Sequence, residues 1–71
     1  MKYTYTIDIY LLDESQAQRY RTLTGSVESE RYSSACILAW QRIHAECETI
    51  RRETGKQTAA GQLTVKTESE S

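Results

Sequence analysis

The chain has no proline and no phenylalanine, and its 71 residues include only three glycines, two cysteines and one residue each of tryptophan, methionine and histidine. Its aromatic content rests on five tyrosines and that single tryptophan, and 38% of the residues are hydrophobic. Such a composition excludes a large core and suits one thin apolar layer. No stretch approaches the roughly 18 consecutive apolar residues of a membrane span. The N-terminus alternates where a secretory h-region would be continuous, so a cytoplasmic location is expected. A net charge of −1 argues against a general polyanion binder, which carries a clear basic excess. CxxC and HxxxH spacings are absent, as are repeats and low-complexity tracts.

The length allows one domain at most. A chain this short buries only about 60% of its unfolded surface. A core of this size rarely supplies more than roughly 3–5 kcal/mol, which small proteins usually supplement with a metal, disulfides or a partner chain. Self-association, as a homodimer, is therefore expected. An enclosed enzyme cleft is hard to build from so few residues, so neither catalysis nor a cofactor is expected.

The first segment carries the clearest pattern. Tyr3, Tyr5, Ile7, Ile9 and Leu11 alternate with Lys2, Thr4, Thr6 and Asp8, the signature of a half-buried strand. Tyr10 and Leu12 fall on the otherwise polar face, which suggests a partner there. Asp13 to Ala17 reads as a polar connection without a tight two-residue turn signature. A second strand is expected over about Gln18 to Glu28, with a bulge at Gly25. In that reading Arg19 and Arg21 share one face.

A helix is expected over Glu30 to Thr54, capped by Ser29, with Glu30 in its first turn. Cys36, Trp40, Ile43, Cys47 and Ile50 recur at helical spacing, widened by Ala35, Leu38 and Ala39. Arg51 and Arg52 close the last turn, and Gly55 follows as the terminating glycine. Lys56 to Gly61 reads as a flexible connection. Leu63 and Val65 alternate with Gln62, Thr64 and Lys66 in a short third strand. The result is a β-β-α-β domain of the α+β class over residues 1–67, with a three-stranded antiparallel sheet in the order 2-1-3. The helix covers one face, and an acidic, disordered tail spans 68–71.

Each chemical candidate has a plainer alternative. His44, Cys47 and Glu48 have helical spacing that a metal can use, yet they span adjacent faces and no second cluster closes the shell. A rim histidine beside a buried cysteine accounts for them. The same pair read as base and nucleophile would need an exposed, activated thiol, whereas both cysteines lie on the apolar stripe. No intramolecular disulfide is expected, because eleven helical residues separate Cys36 and Cys47 by about 16 Å. Trp40 reads as the core anchor between helix and sheet. Arg19, Arg21 and the tyrosines are compatible with stacking on nucleic acid. Elsewhere acidic residues interrupt the basic clusters, as Glu46 does for Arg42 and Glu48 for Arg52. Tyr10, Leu12, Arg19, Tyr20 and Arg21 remain as the candidate partner-binding residues.

Val27-Glu28-Ser29, followed by Ala35, Ala39, Trp40 and Gln41, resembles the strand-to-helix passage of small phage-encoded proteins. Inhibitors of host RNA polymerase are among them. The likeness covers about a third of the chain. It implies a phage, prophage or plasmid accessory protein that binds and modulates a host protein, as anti-defence proteins of this size do. It assigns no role to any single residue.

Overall fold

The computed structural model describes residues 1–68. Strand β1 (Lys2–Asp13) and strand β2 (Gln16–Glu28) form an antiparallel hairpin. Helix α1 (Tyr32–Thr54) follows, then two short strands, β3 (Gln57–Ala60) and β4 (Thr64–Thr67). β1 is central. β2 occupies one of its edges, and β3 and β4 lie end to end along the other, both antiparallel. The α+β class and the order, with β1 between β2 and the C-terminal strands, are those expected from the sequence; the expected third strand is β4, and the additional β3 makes the sheet four-stranded, not three-stranded. Of the expected tail, residues 69–71 lie outside the described residues.

The inner face of β1 is the one its alternation marks. Tyr3, Tyr5, Ile7 and Ile9 are buried together with Val27, Val65 and five helix residues. Ile7, Ile9, Ile43 and Ile50 are the largest fully buried side chains. Burying each contributes about 1.5–3 kcal/mol. This single layer is the whole core of the described residues.

Several local expectations need correction. The first turn is tight: Glu14 and Ser15 alone join β1 to β2, and Glu14 takes a left-handed conformation (φ 52°). The bulge lies at Tyr20, not at Gly25. Ile9 pairs with Arg21 and Tyr10 with Arg19, which leaves Tyr20 as the extra residue. Gly25 has another task. It pairs with Tyr5, and a Cβ there would stand 2.5 Å from the tyrosine oxygen, so its bare backbone makes room for the ring.

Residues 56–61 are not a loop throughout, because Gln57–Ala60 pairs with the last residues of β1. Between β3 and β4, three residues (61–63) face two on β1 (7 and 8). This irregularity breaks the edge and keeps Leu63 and Val65 on the core side.

Ser29 does not cap the helix. Arg31 holds the N-cap position with no side-chain cap, and the first turn contains no acidic residue. Ser29 Oγ donates to the Arg31 carbonyl (3.0 Å) and accepts from its N–H (3.3 Å), closing a local turn instead. At the other end Gly55 adopts φ 71° and donates to the Arg51 carbonyl at 2.8 Å, as its position predicts.

The buried stripe of α1 runs through Ala35, Ala39, Ile43, Cys47 and Ile50. Trp40 is therefore not at its centre. Trp40 and Cys36 are half-buried on the flank, and Leu38 is exposed. The physical reason is size. At the end where Tyr32 meets Tyr3 edge-on (6.1 Å), the sheet already supplies two tyrosines, and only alanine lets the helix axis approach.

Candidate functional site

The helix covers one sheet face and leaves the other bare, and the ladder registers define what stands on it. Along β1 the outward residues are Lys2, Thr4, Thr6, Asp8, Tyr10 and Leu12. Their partners on β2 are Glu28, Ser26, Thr24, Thr22, Arg19 and Ala17. On the other side Thr4 meets Lys66, Thr6 meets Thr64, Tyr10 meets Ala59, and Leu12 meets Gln57. Thr64, Thr6 and Thr24 thus form one row across three strands. Thr22 Oγ1 donates to Asp8 Oδ1 at 2.6 Å within this surface.

The upper part of the face is its apolar part. Tyr10 is half-buried and Leu12 is 42% exposed, beside Ala17 and Ala59. Arg19 borders them through its pairing with Tyr10. Here the sequence candidates Tyr10, Leu12 and Arg19 come together.

Tyr20 and Arg21 do not join them as expected. With Tyr20 bulged, Arg21 pairs with Ile9 and falls on the helix side of the sheet, opposite to Arg19. Its guanidinium carbon lies 5.3 Å from the centroid of the Tyr20 ring, which is 40% exposed. Every residue of β2 from Gln16 to Thr22 is exposed. A bulge and two arginines on this free edge are the usual protection against strand addition. The opposite edge is protected in its own way by the break at 61–63 and by Lys66.

His44 and Cys47 border a shallow groove of about 500 Å³ between α1 and β3, with Glu48, Arg51 and Thr58 among its walls. Cys47 is buried and His44 exposed, its ring tilted against Trp40 at 5.8 Å. Glu48 is engaged by Arg51 and Arg52, both at 3.8 Å. Arg42 is not paired with Glu46; its guanidinium donates to the Ser26 carbonyl of β2. Both cysteines are free thiols. Cys36 hydrogen-bonds Tyr32, and this bond, followed by the charge of the sulfur, holds the phenol above its ordinary value. Among the described residues no group of three His, Cys, Asp or Glu side chains is placed to hold a metal ion. No helix among them is long and apolar enough to cross a membrane.

One surface escaped the sequence reading. Residues 32–41, the first ten of α1, carry no charge even on the solvent side, where Tyr32 and Ile37 are 56% and 61% exposed. The missed signal was the absence of charge in a segment whose apolar residues exceed one stripe. No family model, no curated protein and no solved structure matches this chain.

Proposed function

We propose that this chain is a non-enzymatic protein-binding module that acts in the cytoplasm, forms a homodimer, and occupies the surface of a larger protein. The observation that carries this reading is the bare upper sheet face, where Tyr10, Leu12, Ala17 and Ala59 adjoin Arg19 outside the core. An apolar centre bordered by an arginine is typical of protein interfaces. The phage or mobile-element origin and the inhibitory role implied by the sequence resemblance belong to the same proposal. A nucleic-acid-binding role has less support, because the bulge at Tyr20 separates Arg19 and Arg21 onto opposite faces.

The test is crosslinking followed by affinity capture, with the wild type and a Tyr10→Asp/Leu12→Asp double mutant as baits. A binding module retains a partner, whether a second copy or another protein, that the double mutant loses. The reading is overturned if the wild type is monomeric by light scattering and both baits capture the same set of proteins.

A further inference from the structure

The bare sheet face has a charge pattern that is complementary to itself. Taking the Thr6–Thr24 pair as centre, Lys2 and Tyr10 lie four positions away along β1, in opposite directions. On β2 the corresponding positions are Glu28 and Arg19. Arg19 reaches its position only because Tyr20 is bulged; an unbroken ladder would place Tyr20 there. The lower end also carries Lys66 beside Thr4, and the upper end Asp8.

Consider a second copy turned by a two-fold axis that lies between the faces, perpendicular to the strands, at the threonine row. Glu28 then meets Arg19 of its partner, twice per dimer. The lysine end of each copy meets the Asp8 end of the other. Thr6, Thr24 and Thr64 meet their own counterparts, where hydroxyl and methyl groups can interleave. The paired ends lie about 14 Å from the axis. The ~30° angle of packed sheets shifts them sideways by about 7 Å, within reach of an arginine and a glutamate.

One further observation favours a second copy on this face. Both sheet edges are protected, so assembly by strand addition is disfavoured. The overlap about that axis extends about 14 Å to either side along the strands, which with the 19 Å width of the molecule gives a footprint of about 530 Å² per copy, below the ~800 Å² of a standard interface and in the range of transient ones. We infer that the chain forms a two-fold face-to-face dimer through its open sheet, with Glu28 and Arg19 as the reciprocal pair that sets its register. This inference rests on the binding-module reading and assigns a symmetry to the threonine-centred part of the face; Leu12 and Ala17, six positions above the axis, lie outside the two-fold contact.

The experiment is sedimentation equilibrium on the purified chain and its charge-reversal mutants, with circular dichroism confirming the fold. The wild type is expected to dimerise, more weakly at high salt. Arg19→Glu and Glu28→Arg should each raise the dimer dissociation constant about tenfold or more, since each creates two like-charge contacts. An equimolar mixture of the two single mutants should form a heterodimer, because both contacts are then complementary, and the double mutant should regain self-association. A dimer indifferent to both reversals, or one lost in the single mutants and not regained in the mixture, overturns the inference. So does a wild-type monomer at millimolar concentration. If that monomer still captures a different protein through Tyr10 and Leu12, the two-fold dimer fails and the binding-module reading stands; if it captures nothing, both fail.

Discussion

Tyr5 lies across Gly25, its ladder partner on β2, so closely that a Cβ on the glycine would stand 2.5 Å from the phenol oxygen and 2.7 Å from Cζ. The pair fills the inner face with one ring where two side chains would collide. Gly25→Ala should therefore destabilise the fold by about 1–3 kcal/mol. In a Tyr5→Val background the same substitution should cost less, a coupling of about 1 kcal/mol or more by denaturant titration. Equal costs in both backgrounds would remove the ring as the reason for the glycine.

The hairpin turn carries a different strain. Glu14 adopts a left-handed conformation without the freedom of glycine or asparagine, at a cost of roughly 1–2 kcal/mol. Its side chain is exposed. Glu14→Asn should raise stability by about 0.5–1 kcal/mol, read as a higher urea midpoint at unchanged m-value. A lowered midpoint would contradict the assigned turn.

Helix phase can be tested with two neighbouring substitutions. Ala39 is fully buried and Ile37 is mostly exposed. Ala39→Leu should cost about 1–3 kcal/mol by forcing helix and sheet apart. Ile37→Gln should stay within about 0.5 kcal/mol. The reverse order would mean that the helix is rotated from its assigned face.

Tyr32 gives a pH signature. Its bond to Cys36 favours the neutral phenol, so the folded pKa stands above the ordinary value of 10.0. The sign follows: the stabilisation is complete below the unfolded pKa and fades as pH rises through the folded one. Cys36→Ala should lower the Tyr32 midpoint in an NMR titration of its ring carbon. An unchanged midpoint would exclude the sulfur as the cause.

The parts of the fold legible in the sequence are those whose side chains carry a periodic signal. β1 was legible because one of its faces is buried along most of its length, and α1 because Gly55 and two arginines mark its end. β3 was not: Gln57, Thr58, Ala59 and Ala60 are held by backbone pairing to β1 and carry little apolar contrast. The turn at Glu14 and Ser15 lacks the residues that usually announce it. The bulge at Tyr20 left the composition unchanged while moving Arg19 and Arg21 to opposite faces. Of the candidate site, Tyr10 and Leu12 were readable from their parity alone. Arg19's position depended on a ladder irregularity that single-strand alternation does not encode.

The central position of β1 has a kinetic consequence. Its pairing with β2 is local and can close in about 1–10 μs. Its pairing with β4 joins Tyr3 to Thr67, near the opposite end of the described chain, and must wait for the larger loop to close. In the interval the tyrosines and isoleucines of β1 lie in a hairpin whose β1 edge is still unpaired and unprotected, the species most exposed to intermolecular pairing. Refolding yield should therefore fall with protein concentration even though the finished fold protects both of its edges.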